Sequence, residues 1–238
     1  MSKSLFVTGT GTDVGKTFVS GLMLKKLREN GRRAAYYKAA MSGNDRRADG
    51  SLIPGDALRV KEMSGIEQPL GEMCPYVYET AVSPHLAAKL EGNPVELERV
   101  LEGLRDLQAR YDYVTVEGSG GILCPLRFDG QSIQLEDVIM AGNLSCLIVA
   151  DVGLGTINAV VLTVEYMKAR HIPVKGILFN RFEPGNPLHE DNRLMCEALT
   201  GQKVLACVKK GDRELDLPIA VLEALYDERR NGHDLVSL

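Results

Sequence analysis

Apolar residues along this chain fall into two rhythms. Unbroken or nearly unbroken runs occur at Leu5-Phe6-Val7, Ala34-Ala35-Tyr36-Tyr37, Tyr113-Val114-Thr115-Val116, Cys146 to Ala150, Val174 to Phe179 and Val204 to Val208. Runs without polar alternation predict strands covered on both faces, as in a parallel sheet. Between them, apolar residues recur at helical spacing: Val19, Leu22, Met23 and Leu27; Leu97, Val100, Leu101, Leu104 and Leu107; Ile157, Val160, Val161 and Val164. Asn30-Gly31 is a stop signal for the first helix. Ser83 before Pro84 marks another helix start, because proline at the first helical position gives up no hydrogen bond. The polar stretch from Ser42 to Gly55 predicts a loop, with a short helix starting near Asp56. A last short helix carries Ile219, Leu222 and Leu225, and residues from Arg229 onward read as a frayed tail. Strands alternating with helices predict an α/β fold with a mainly parallel central sheet and helices on both faces. No repeat, low-complexity tract or linker interrupts residues 1–238, so one domain is expected.

Where the first strand should end, the chain reads Gly9-Thr10-Gly11-Thr12-Asp13-Val14-Gly15-Lys16-Thr17. A strand, a glycine-rich turn, Lys-Thr and a helix form an arrangement that cradles phosphates. Backbone N–H groups of the turn wrap the anion and the helix points its positive end at it. Lys16 can reach the terminal phosphates, and the Thr17 hydroxyl can ligate Mg²⁺. The usual G-x-x-x-x-G-K-[ST] spacing would need glycine where Thr10 stands, so this loop is one residue longer. A dinucleotide fingerprint would need glycine in place of Val14 and has no use for Lys16-Thr17. A phosphate loop is the better reading.

In a parallel sheet, ligands bind at the C-terminal ends of the strands. Those ends carry Gly9 to Thr17, Lys38, Glu117, Asp151 and Asn180. Mg²⁺ wants oxygen ligands, usually one or two carboxylates with phosphate oxygens and water. Thr17, Glu117 and Asp56 can supply them, although on spacing alone Asp56, just after Pro54-Gly55, reads as a helix cap. Glu117 precedes three glycines within four residues, which lets backbone pass close to phosphate. Lys38 could offset charge developing in phosphoryl transfer. Asp13 would repel phosphate unless it faces a cation, an amine or a water-bridged metal. His85 reads as a helix-start or packing histidine.

Composition narrows the partners. The net charge is −4 and no basic run exceeds a pair, which argues against nucleic acid or an anionic membrane surface. The five cysteines are scattered, with no C-x-x-C pair, as in a reducing compartment. No apolar run reaches transmembrane length and no signal peptide is expected, so a cytoplasmic protein is the expectation. The residues thus describe a Mg²⁺-dependent nucleotide-binding α/β protein that hydrolyses or transfers a γ-phosphate, with the acceptor open.

Taken together, Phe6 to Thr17, Lys38-Ala39-Ala40-Met41-Ser42-Gly43, Gly55-Asp56-Ala57-Leu58, Ser83-Pro84-His85, Val116 to Gly121 and Asn180 resemble the dethiobiotin synthetase family, over nearly the whole chain and in order. The lengthened phosphate loop is that family's form. The resemblance implies a P-loop NTPase-like fold and an ATP- and Mg²⁺-dependent closure of 7,8-diaminononanoate with carbon dioxide into dethiobiotin. The route is a carbamate and then a carbamic-phosphoric anhydride. It implies catalytic roles for Lys38 and Lys16, and Mg²⁺ ligation by Thr17, Asp56 and Glu117. It implies nucleotide contacts from Asp13, Val14, Gly15, Lys16, Thr17, Phe18, Asp56, Glu117, Gly118, Ser119, Gly120, Asn180, Arg181, Val208, Lys209 and Lys210. Substrate contacts fall to Thr12, Lys38 and Ser42, with Gly153, Leu154 and Asn158 meeting the substrate carboxylate across a homodimer interface. The chain departs from the family at Ala39, usually proline, at Val208-Lys209-Lys210-Gly211, usually a proline-containing base-lining loop, and around Asn192, where an aromatic residue is common. A switch or partitioning ATPase of the same superfamily is the alternative. Those proteins carry an extra lysine early in the loop, whereas Lys16 is the only lysine between Gly9 and Thr17.

Overall fold

The computed structural model describes residues 2–228; the tail expected from Arg229 lies outside them. In chain order the elements are β1 (Lys3–Gly9), α1 (Lys16–Glu29), β2 (Ala34–Lys38), β3 (Ala40–Met41), α2 (Gly55–Ser64), β4 (Tyr76–Val77), α3 (Pro84–Leu90), α4 (Leu97–Arg110) and β5 (Tyr113–Glu117). There follow β6 (Pro125–Phe128), β7 (Ser132–Gln134), α5 (Leu135–Ala141), β8 (Cys146–Asp151), α6 (Thr156–Ala169), β9 (Val174–Asn180), α7 (Pro187–Thr200), β10 (Val204–Val208), α8 (Ile219–Ala224) and β11 (Asp227–Glu228).

The six apolar runs form one sheet in the order β10-β9-β8-β1-β5-β2, with parallel pairs throughout. Only β11, antiparallel to the start of β1, departs from that direction. Both faces are covered, which is why the strands read as continuous hydrophobic runs. Leu5 and Val7 of β1 pack under α1, α2 and α8 with Val19, Leu22, Leu27, Val60 and Leu222. Phe6 between them points the other way, toward Val100, Leu104, Val138, Val160 and Val164. Each such buried aliphatic side chain contributes about 1.5–3 kcal/mol.

The first connection carries the chain from β1 to the β2 edge. Later connections lead from β5 across β1 to β8 and on to β10. That reversal beside β1 opens a crevice at its carboxyl end, where the phosphate loop begins. The stop at Asn30 is as expected, with Gly31 left-handed at φ 75°. Ser83 does precede α3, but its side chain makes no capping hydrogen bond. The periodicity does not announce the parallel β3–β4 pair, the β6–β7 hairpin, α5, α7 or β11. Among the described residues, no helix is long and apolar enough to cross a membrane.

Candidate functional site

The loop from Gly9 to Gly15 owes its shape to its glycines. A Cβ at Gly9 would sit 2.8 Å from the Val14 side chain. Gly15, the residue before α1, has φ 100°, and a Cβ there would lie 2.0 Å from the Asn180 amide nitrogen. No side chain caps α1, which leaves its first N–H groups facing the loop, as an anion site requires. Lys16 curls back so that its Nζ donates to the Gly11 carbonyl at 2.8 Å. Burial, and next the Lys38 cation, lower its pKa from 10.5 to about 8.

Beside the loop, strand register brings two charged residues together. Lys38 ends β2 and Glu117 ends β5, and the two are direct register partners. Lys38 Nζ donates to Glu117 Oε1 at 2.8 Å and to Asp56 Oδ2 at 2.6 Å. Thr17 Oγ1 donates to the same Glu117 oxygen at 2.9 Å. Burial alone would lower the Lys38 pKa, but the Glu117 and Asp56 carboxylates together hold it above the usual range. Desolvation would raise Asp56, yet the Lys38 charge and hydrogen bond keep it below its usual value. Asp56 is therefore not a helix cap: Pro54 occupies the cap position, and Asp56 sits in the first turn of α2, facing Lys38. The other Glu117 oxygen, Oε2, is buried without a hydrogen-bond partner. A buried, half-satisfied carboxylate is costly, and a cation against that oxygen would remove the cost.

These residues line a cleft of about 440 Å³ together with Thr12, Asp13, Gly15, Phe18, Arg59, Gly120, Asn180, Arg181, Lys210 and Gly211. Five cations face three carboxylates there, a balance that favours a polyanionic ligand. Asn180 reaches the loop, its Nδ2 donating to the Val14 carbonyl at 3.0 Å. The cleft does not gather every expected residue. Val14, Gly118, Ser119, Val208 and Lys209 lie outside its lining. Ser119 Oγ donates to the Ala40 carbonyl at 2.9 Å, and the Lys209 N–H to Asp212 at 2.8 Å. Ser42 Oγ donates to the Val82 carbonyl at 2.5 Å. Gly153, Leu154 and Asn158 stand apart from the cleft, at the start of α6 beside an apolar groove of about 510 Å³ shared with α7. Arg59 is the lining residue that sequence reading missed. It stands one helical turn after Asp56, a spacing that puts both on one face.

A phosphate loop at the switch point of a parallel sheet, with lysines and carboxylates converging on it, defines a nucleotide-binding α/β protein of the P-loop class. A family model described as an AAA domain matches residues 3–213. The ATP-dependent dethiobiotin synthetase BioD of Brachyspira hyodysenteriae is 46% identical over 91% of this chain and 96% of its own length. Its namesake from Clostridium botulinum strain Langeland is 41% identical over 96% of this chain and its own full length. This chain belongs to the ATP-dependent dethiobiotin synthetase family, a family of ligases. A ParA family ATPase from Chlorobium tepidum TLS superposes with a TM-score of 0.55 at 15% identity, covering 94% of this chain and 89% of its own. At that identity the likeness is one of fold.

Proposed function

We propose that this enzyme closes 7,8-diaminononanoate with carbon dioxide into dethiobiotin at the expense of ATP, with one domain carrying the whole reaction. One substrate amine adds to carbon dioxide to give a carbamate, releasing a proton. A carbamate oxygen attacks the γ-phosphorus, the bond to the ADP oxygen breaks, and a carbamic-phosphoric anhydride results. The second amine then attacks the carbamoyl carbon, inorganic phosphate leaves, and the cyclic urea is closed. Such chemistry asks the protein chiefly to position reactants and neutralise charge.

The observation that carries this reading is the cluster of Lys38, Glu117, Asp56 and Thr17 against the phosphate loop. Lys38 stays protonated between two carboxylates, ready to offset charge on the carbamate and the γ-phosphate. Lys16 exchanges the Gly11 carbonyl for phosphate oxygens. Thr17, Asp56 and Glu117 present hard oxygen donors, and the unpartnered Glu117 Oε2 fits a cation. Among the described residues no three His, Cys, Asp or Glu side chains form a metal site by themselves, so these three would hold Mg²⁺ jointly with the nucleotide. When bound, Mg²⁺ would neutralise phosphate charge in the transfer. Asn180, whose Nδ2 is committed to Val14, keeps its amide oxygen for an amino group on the base. Thr12 and Ser42 would orient the diamine.

The substrate carboxylate would be met by Gly153, Leu154 and Asn158 of a second subunit. The apolar groove between α6 and α7, with Leu154 92% and Leu162 62% exposed, supports a homodimer there. Five free cysteines support a cytoplasmic setting. The test is phosphate release with ATP, Mg²⁺, bicarbonate and the diamine, each omitted in turn. Release that needs all four, with the cyclic urea found by mass spectrometry, is the expected result. Release indifferent to the diamine would refute the proposal.

A further inference from the structure

Four residues other than glycine adopt left-handed backbone among the described residues: Asp13, Asn143, His171 and Arg181. Asn143 and His171 follow the ends of α5 and α6, where that conformation is ordinary. Asp13 at φ 59° and Arg181 at φ 60° are at no helix end, and they are joined to each other. Arg181 Nη2 donates to the Asp13 carbonyl at 2.8 Å. Its Nη1 donates to Asp151 Oδ2, and the other Asp151 oxygen accepts from the Gly153 N–H at 2.9 Å. Gly153 is held in turn, its carbonyl accepting from the buried Asn192 side chain at 3.2 Å. An unbroken series of hydrogen bonds therefore runs from α7 through the ends of β8 and β9 to the phosphate loop.

For the loop N–H groups to converge on an anion, its carbonyls must turn outward. Two of those carbonyls, on consecutive residues, are taken by consecutive side chains from the end of β9: Val14 by Asn180 and Asp13 by Arg181. Strained backbone persists only where its surroundings over-determine it, and here each strained residue is fixed through the other. We propose that Arg181 is a positioning residue. It holds the phosphate loop in its anion-binding shape, aimed by Asp151, rather than touching the nucleotide itself. The inference rests on the nucleotide-binding reading of the cleft.

Because the clamp acts on the loop, its loss should weaken any polyphosphate, with or without a base. Binding of ATP and of inorganic tripolyphosphate, each with Mg²⁺, is measured by calorimetry for the wild type, Arg181→Met, Asp151→Asn and the double variant. Each single change is expected to weaken both ligands by roughly tenfold, the scale of one hydrogen bond to a charged group. The double variant should be no weaker than the singles. In turnover the loss should appear in KM for ATP rather than in kcat. Asp151→Asn keeps the guanidinium, so it tests the clamp even where Arg181→Met does not fold. Weakening of ATP alone by Arg181→Met, with Asp151→Asn neutral or tighter, would make Arg181 a nucleoside contact and overturn the proposal. Wild-type affinity in all variants would overturn it as well. Failure of the wild type to bind either ligand would instead sink the nucleotide reading itself.

Discussion

The buried amine of Lys16 makes nucleotide binding a proton-linked event. Its pKa falls from 10.5 to about 8, through burial and then repulsion from Lys38. That difference corresponds to about 3 kcal/mol against the charged form in the ligand-free protein. The unfolded chain holds this proton more tightly. Between about pH 8 and 10.5 it therefore binds more protons than the fold, and the Lys16 contribution to stability rises with pH across that window. A bound triphosphate reverses the balance, because its oxygens favour the ammonium form. ATP binding should then draw in about 0.5 proton per site at pH 8 and about 0.9 at pH 9. Affinity should weaken by about 25-fold from pH 7.5 to 9.5, as the fraction of Lys16 protonated before binding declines.

Calorimetric titration with ATP in several buffers of different ionisation enthalpy measures this directly, since the slope of apparent enthalpy gives the protons taken up. Lys16→Met should bind weakly with no uptake in this window. Lys38 is held above its usual range and Asp56 below it, so neither titrates there. Zero uptake at pH 9, or an affinity flat from pH 7.5 to 9.5, would show that Lys16 stays charged in the free cleft and that burial does not govern it.

Other outcomes follow from the same geometry. Lys38→Ala should cut turnover by more than about a hundredfold, the scale of a lost electrostatic contact to the transition state, while circular dichroism stays native; wild-type turnover would remove Lys38 from the reaction. Gly15→Ala places a methyl 2.0 Å from the Asn180 amide on left-handed backbone, so ATP binding should be lost and thermal stability lowered by about 1–2 kcal/mol or more; calorimetry and a melting curve check both. Leu162→Glu puts a carboxylate into the apolar groove of α6 and α7 and should convert the proposed dimer to monomer in light scattering, lowering turnover with it.

The sheet was legible because covering both faces leaves a simple trace, unbroken apolar runs that stop at polar residues. The stops themselves marked the site, since Gly9, Lys38, Glu117 and Asn180 all end strands at the crevice. What the runs lack is strand order. Nothing between residues 39 and 116 announces that β2 pairs β5 in the register that sets Lys38 beside Glu117. Asp56 was ambiguous for the same reason, as its partner is 18 positions away and comes close only through the fold. The β6–β7 hairpin did carry a local sign, Asp129-Gly130, with Gly130 left-handed at φ 96°.

Of the two helices that the periodicity does not announce, α5 and α7, the second is the more instructive, because its polarity is reversed. Its buried residues are Asn192, Cys196 and Thr200, while Leu188, Leu194, Met195 and Leu199 are exposed. Reading apolar residues as the inward face therefore turns this helix the wrong way round. Its local signals are at its ends: Asn186-Pro187, where the Asn186 side chain accepts from the Leu188 N–H, and Gly201, left-handed at φ 69°. The inward polar residues have tasks. Asn192 donates to the Val152 and Gly153 carbonyls at 2.8 and 3.2 Å, holding the turn that opens α6. Of the outward residues, Leu199 borders the groove with Leu154 and Leu162. A helix that spends hydrogen bonds on its own subunit and leaves Leu199 open at the groove fits the proposed dimer. The same turn is where the proposed second subunit would meet the substrate carboxylate, so the feature that hid α7 from the periodicity also supports the dimer.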